Sequence, residues 1–485
     1  MINYSSNTLL PFLRDSTGVQ TLFAACGIKL DISRQRFSGE DLKALCRYAR
    51  SRGLEREFGR MVSGEIVNVS ENRAALHTAL RAFAPSAPHF KDVDRERRRV
   101  LSFARQVREG RWRGCRGDRI TSVINIGIGG SEIGPHAVWH ALRAPQPDIR
   151  LHFLSSVDGV LLERILAQCN PKSTLIVVSS KSFTTRETQV NAAAVDQWLL
   201  DNGIVGADRT RHLVVVSANP QAAETMCLPP ENFFHIWNWV GGRFSVWGAI
   251  GLPLAIALGP DAFLEFLQGA SEMDRHASSA PLEENLPALL AMIDFWNATR
   301  LEISSHCLLP YDERLRRMVP WLQQLEMESL GKNHSPTGER MLGHTGLGVW
   351  GANGDEAQHS FYQWLREGTG RTSIDIVWSE MPGHRYATHY RVLLANARAQ
   401  AETLIMREAD SPYFNAVSAI VLDAITPRRL GAFMAMYEHK TTMLGTLFGI
   451  NPFDQPGVEL GKRLSKRAES GADVRSVLEE EARNL

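Results

Sequence analysis

The sequence predicts an α/β protein with mostly parallel sheets, flanked by helical segments at both ends. Three observations predict it. Short apolar, β-branched runs recur from about residue 120: Ser122 to Ile128, Leu151 to Ser155, Thr174 to Ser179 and His212 to Ser217. Helix-like stretches of roughly 10–20 residues separate them. A second alternating set starts near residue 285. Continuous apolar strands alternating with helices indicate a parallel sheet covered on both faces, and such sheets bind ligands beyond the carboxyl ends of their strands.

In chain order, residues 1–115 read as mostly helical and charged. The basic run Arg95 to Arg99 is diluted by Asp92, Asp94 and Glu96, which makes it a solvated helix face rather than a polyanion site. Residues 116–280 form the first α/β unit. Its longest apolar stretch, Val246 to Gly259, contains Pro253 and falls short of the ~20 residues that cross a bilayer. A buried core helix is expected there. Residues 281–465 form the second unit, with a helix ending near Gly331, strands at Gly346 to Gly351 and Ser373 to Trp378, and a long helix from Pro427 to about Phe448. Residues 466–485 read as a helical tail.

Composition excludes several function classes. The chain has 485 residues, of which 44% are hydrophobic and 22% charged, an ordinary globular balance. Lys plus Arg number 54 against 53 Asp plus Glu, so no net field draws the chain toward nucleic acid or membrane. Any bound anion must be held by local design. The six cysteines show no C-x-x-C spacing, which excludes a zinc ribbon or dithiol site and fits reduced thiols. The N-terminus lacks a basic segment followed by an apolar run, so a cytoplasmic location without a secretory signal is expected.

Six segments carry chemistry. Ile126 to Gly134, I-G-I-G-G-S-E-I-G, follows a strand and opens a helix, where free N–H groups can meet an anion. A dinucleotide loop would need glycine at 132, and Glu132 would oppose a pyrophosphate; a plain tight turn is the competing reading. Ser179 to Thr188, S-S-K-S-F-T-T-R-E-T, offers hydroxyls, Lys181 and a helix start, a cradle for a monophosphate. A single Ser/Thr N-cap would need only one of those hydroxyls. Trp239 to Ser245 presents Arg243 after two glycines, where a permanent cation would stabilise an oxyanion or join a surface ion pair.

Within Gln323 to Lys332, Gln324 and Glu328 stand four apart on one helix face, while Glu326 points elsewhere and is expected to be solvated. An amide beside a carboxylate can hold a polyhydroxyl ligand and take its proton; a polar helix surface is the alternative. His359, in Q-H-S-F, exchanges protons near neutral pH or serves structure. Asn451 to Lys462 reads as a turn leading into a helix start. His136 and His140 have metal-ligand spacing but no evident third ligand, so no metal is expected.

In this order, these segments resemble the glucose-6-phosphate isomerase (phosphoglucose isomerase) family over roughly residues 120–465. The most specific stretches are V-G-G-R-F-S, Q-Q-L-E-M-E-S, and Y-E-H-K (Tyr437 to Lys440) leading to F-D-Q-P-G-V-E-L-G-K. The resemblance implies two sugar-isomerase (SIS) domains, each a three-layer α/β/α sandwich, in a homodimer. It implies that Glu328 is the base, that His359 and Lys462 act in ring opening, and that Arg243 balances the charge of a cis-enediolate. Ser180, Ser182, Thr184 and Thr185, with Lys181 beside them, then match the phosphate site. Gly130, Ser131, Gln324 and Gln455 match further substrate contacts. His359 is expected to reach the partner's active site, and no cofactor is implied. Three positions depart from the family pattern: Ser182 replaces threonine, Leu330 replaces asparagine and Phe244 replaces tyrosine. Two competing functions remain, a non-catalytic SIS-domain sugar-phosphate sensor and a nucleotide-dependent oxidoreductase.

Overall fold

A computed structural model describes residues 21–406 and 412–469; part of the expected helical tail, 470–485, lies outside them. Two sheets organise the chain. The first is all parallel, in the spatial order Arg150–Leu154, Ser122–Ile126, Thr174–Ser179, Leu213–Ser217, Phe233–His235. Its three central strands are buried at every position, as their unbroken apolar runs require. The chain leaves Ser122–Ile126 for a strand on one side and then returns to the other. The strand order therefore reverses beside Ile126, and the Gly127 and Ser180 loops both emerge next to this switch point.

The second sheet has six strands, ordered Leu22–Ala25, Ile28–Arg34, Asn415–Leu422, Thr372–Ser379, Ser305–Pro310, Gly348–Gly351. The last four are parallel, while Ile28–Arg34 adds to Asn415–Leu422 antiparallel. This adds a strand hairpin to the start expected to be mostly helical. Helices Gly39–Ser51, Leu54–Ser63 and Phe90–Arg108 are present, but the hairpin before them belongs to the second sheet. Its strand alternates buried and half-buried residues, because one face lies on the core. The basic run on Phe90–Arg108 is paired along its own helix, as in Arg95–Asp92 at 2.8 Å and Arg98–Asp94 at 2.6 Å.

A buried helix, Pro427–Phe448, runs through the molecule. The Thr426 hydroxyl accepts from Arg429 N at 3.2 Å to cap its start, and Gly449, with φ 75°, ends it. It crosses Pro260–Ser279 at backbone contact. A Cβ on Gly269 would lie 1.7 Å from the Arg428 carbonyl oxygen, so only glycine fits there. The apolar stretch from Val246 forms a short buried helix, Leu252–Leu258, leading into Pro260–Ser279. Among the described residues no helix is long and apolar enough to cross a membrane.

Candidate active site

The loops at the switch point meet the helix that carries Glu328. Gly130 rests on the Gly242–Arg243 peptide: a Cβ there would lie 2.0 Å from Gly242 O. The Gly242–Phe244 turn packs in turn on Gln323–Met327. Gln324 returns to the first loop, its Nε2 lying 3.2 Å from where a Cβ of Gly129 would stand. Behind the Gly127 loop, Asn125 Nδ2 donates to Ser131 O at 3.0 Å, and Ser179 Oγ donates to Asn125 Oδ1 at 3.0 Å. Sequence elements far apart thus converge on one place.

Arg243 is buried and almost fully committed. Its Nε donates to Ser329 Oγ at 2.6 Å and its Nη1 to Gln455 Oε1 at 3.0 Å. Its Nη2 donates to the carbonyls of Pro452 and Asp454 at 2.6 and 3.1 Å. A guanidinium has five N–H donors, so one Nη1–H remains. That edge faces Glu328, whose Oε2 lies 3.7 Å away. Burial lowers the Arg243 pKa from its ordinary value, while Glu328 and Asp454 oppose the shift.

Glu328 is 24% exposed, and its Oε2 is buried without a hydrogen-bond partner among the described residues. It lines a cleft of about 400 Å³ together with Met327, Lys332, His334, Asp454 and Gln455. The helix bearing it is irregular. Gln323–Met327 forms a π turn between two short α-helical pieces, a departure that concentrates at functional sites. Lys332 closes the end, its Nζ donating to the carbonyls of Glu328 and Ser329 at 2.8 and 2.9 Å. Burial, with Arg243 nearby, lowers the Lys332 pKa to about 8.

The Ser180 segment forms an open-handed loop. Ser180 Oγ accepts from Phe183 N at 3.2 Å, and Phe183 holds φ 58°. Ser182 and Thr184 share a hydrogen bond at 2.7 Å and are exposed. Thr185 is the N-cap of Arg186–Asp201 but makes no side-chain cap bond, so the first N–H groups of that helix are left for another acceptor. Lys181 behaves differently from its expected place beside the cradle. Its Nζ donates to Asn238 O and Val240 O at 2.9 and 2.7 Å, tying this loop to the one that presents Arg243. Burial, with Arg73 nearby, lowers its pKa to about 8.

Other expectations fare differently. His359 is exposed, following the short helix Gly354–Ala357 on the second sheet's side, and does not line the Glu328 cleft. Lys462 is exposed on Glu459–Glu469, beyond the cleft wall that ends with Val458. Glu326, expected to be solvated, is 2% exposed. The face opposite Glu328 looks into the core because Pro427–Phe448 covers it. His136 Nδ1 pairs with Glu132 Oε1 at 2.5 Å and stacks on Phe153, while His140 Nε2 lies 2.9 Å from the Glu313 carbonyl; both are structural. Of the departures, Phe244 stacks on His77 with centroids 4.5 Å apart, and Leu330 is buried against Gly346. Sequence reasoning missed Ser329, Lys332 and Asp454. Only Lys332 left a signal, four residues after Glu328.

One described group has metal-ligand geometry, Asp294, His306 and Glu326, with ligand atoms within 4.8 Å of one another. The Lys440 ammonium already occupies it, 2.5 Å from Asp294 Oδ2 and 2.7 Å from Glu326 Oε1.

The chain matches the phosphoglucose isomerase family over residues 31–480. It is 43% identical over 471 residues to a glucose-6-phosphate isomerase of Burkholderia ambifaria, covering 93% of this chain and 87% of that one. A glucose-6-phosphate isomerase of Paraburkholderia xenovorans is also 43% identical, over 94% of this chain and 88% of its own. The crystal structure of a glucose-6-phosphate isomerase from Chlamydia trachomatis superposes with TM-score 0.85 at 30% identity, covering 96% of this chain and 93% of that one.

Proposed function

The chain belongs to the phosphoglucose isomerase family, and from that premise we infer that it interconverts glucose 6-phosphate and fructose 6-phosphate, with Glu328 carrying one proton between C2 and C1. The observation that supports the base assignment is the Glu328 carboxylate itself. Its Oε2 is buried without a hydrogen-bond partner among the described residues and faces a fixed cation, while the residue lines a cleft large enough for a sugar phosphate. A carboxylate left unsatisfied in this way is ready to accept a proton.

The open-chain aldose loses its C2 proton to Glu328. A planar cis-enediolate forms, and the remaining Nη1 edge of Arg243 balances its charge without reorganising, because the other donors are held by Ser329, Gln455 and two carbonyls. The O2 hydroxyl proton passes to O1, and Glu328 returns its own proton to C1 on the same face, giving the ketose. Two carbons of one planar intermediate lie within reach of one base, so a second is unnecessary. Ser180, Ser182, Thr184, Thr185 and the start of Arg186–Asp201 hold the phosphate. Lys181 steadies that loop against the Arg243 loop. Gly130, Ser131, Gln324 and Gln455 complete the contacts to the sugar. Proton transfer of this kind needs no cofactor.

Ring opening requires an acid and a base at the ring oxygen and the anomeric hydroxyl. Lys462 and His359 of the partner subunit supply them in a homodimer. The exposure of His359 and its position away from the Glu328 cleft of its own chain support a shared site. A cytoplasmic setting accords with six free cysteines. The sensor alternative has no support, since the matching relatives bear the name of the enzyme.

Glu328→Gln, assayed in deuterated water, tests the assignment. Turnover should fall by about 10²–10⁴-fold, and exchange at C2 should fall with it. Near wild-type turnover would remove Glu328 from its role.

A further inference from the structure

A cluster of charge lies buried directly beneath the base, on the far side of its helix from the cleft. Lys440, 1% exposed, sends its ammonium to Glu326 Oε1 at 2.7 Å and Asp294 Oδ2 at 2.5 Å. His306, fully buried, lies 3.5 Å from Glu326 Oε2 through Nδ1 and 3.1 Å from Asp375 Oδ2 through Nε2. Tyr437 Oη donates to Asp375 Oδ2 at 2.7 Å. Three carboxylates therefore surround one lysine and one histidine. Burial and the Lys440 ammonium push the His306 pKa down, while Asp375 and Asp294 raise it and prevail.

Stability does not explain this cluster. Buried ion pairs repay their desolvation poorly, and apolar side chains of similar volume often serve as well or better. A buried pair can instead fix geometry, because breaking it would leave an uncompensated charge in the core. The position of Glu326 is specific: it lies two residues before Glu328, inside the π turn Gln323–Met327. A π turn interrupts the regular bonding of an α-helix with i→i+5 bonds and concentrates at functional sites. Its flank on the cleft side, Met327 and Glu328, borders open space, so the turn must be held from behind.

We propose that the Glu326–Lys440 pair is a positioning device for the reaction, anchoring the π turn to the buried helix Pro427–Phe448 so that the Glu328 carboxylate stands in register with the substrate. Glu326 and Lys440 act through Glu328 and touch no substrate. The proposal rests on Glu328 being the base. A displacement of about 1 Å at a reacting group costs on the order of 10²-fold in rate.

The test is Glu326→Gln, which conserves shape and removes the charge. Its kcat should fall at least about tenfold, with KM within about twofold, because the hydroxyl cradle stands on the other sheet. In deuterated water the share of product carrying solvent deuterium should also rise at least about twofold, since a looser carboxyl exchanges its proton before returning it. A merely structural role lowers the active fraction and leaves that share unchanged. Should Glu326→Gln fold poorly, Glu326→Asp, which keeps the charge for Lys440 but shortens its reach, is judged by the same two readouts. Wild-type kcat, or a lower kcat with an unchanged deuterium share, overturns the proposal. An inactive Glu328→Gln beside a normal Glu326→Gln would sink the positioning role alone; an active Glu328→Gln would sink the base assignment first.

Discussion

Arg243 Nη1 lies 3.7 Å from Glu328 Oε2, and that edge is the only part of the guanidinium not spent on protein partners among the described residues. The two side chains come from different parts of the chain and meet because Ser329, next to Glu328, takes the Arg243 Nε–H. One residue thus couples the position of the cation to the position of the Glu328 carboxylate. The pair suits a proton abstraction that creates an anion.

Arg243→Lys should show that the fork matters as well as the charge. Lysine supplies three donors around one point and cannot reach Ser329, Gln455 and two carbonyls together. We expect kcat to fall by about 10²–10³-fold, the size of losing one fixed oxyanion donor, with a smaller change in KM. Steady-state kinetics with fructose 6-phosphate in a coupled assay read both. A kcat within fivefold of wild type would refute the charge-balancing role.

The hydroxyl cradle predicts the opposite split. Thr185→Ala removes a hydroxyl that makes no cap bond, so helix stability should hardly change. A hydrogen bond to a charged phosphate contributes about 1.5–3 kcal/mol, which corresponds to about ten- to hundredfold in KM. Binding that is equal in ground and transition states leaves kcat unchanged. An unaltered KM would place the phosphate elsewhere.

Gly130→Ala tests the junction between loops. The new methyl would lie 2.0 Å from Gly242 O, a backbone atom that cannot swing aside. The Arg243 turn must shift, so activity should drop at least tenfold along with about 1–3 kcal/mol of stability, measured by denaturant titration. Full activity would mean that the two loops move independently.

Much of this was legible in the residues. The strands at Ser122 and Thr174 announce themselves as unbroken apolar runs, and the long helix begins at Pro427 and ends at Phe448, as its cap residues indicate. The hairpin Leu22–Arg34 was missed although Ile28, Leu30 and Ile32 alternate, because charged helices around it dominate the reading. Glu326 was misjudged for a deeper reason. Helical spacing gives the face a side chain occupies but not what covers that face. Lys440, 114 positions away, decides whether the face is solvent or core. The roles of His359 and Lys462 came from family resemblance alone, since a lone histidine more often serves structure and a lysine near a helix start is usually solvated.

Leu330 separates stability from chemistry. It is 1% exposed and packs on Gly346, so asparagine there would bury an amide among apolar neighbours. Leu330→Asn should cost about 1–3 kcal/mol of stability, read by denaturant midpoint, while kcat of the folded fraction stays within about threefold. A gain in kcat of tenfold or more would show that the base lacks a polar support at this position.

Lys332 gives the pH dependence its sign. Its pKa falls from 10.5 to about 8 on folding, mainly by burial. Between those values the folded state binds fewer protons than the unfolded one, so stability gains from this group as pH rises from about 8 toward 10.5. Below pH 8 the buried ammonium costs stability. It also holds the carbonyls of Glu328 and Ser329 and adds positive charge to the cleft that Glu328 lines. Activity should therefore move against stability, kcat declining through about pH 8 as Lys332 loses its proton. Lys181 titrates in the same range, so the wild-type profile alone does not assign the limb. Lys332→Arg keeps the charge at every pH and should shift the decline upward by at least one pH unit, whereas Lys181→Arg should leave it in place. A limb that follows Lys181 instead would move the titration from the base helix to the loop that steadies Arg243.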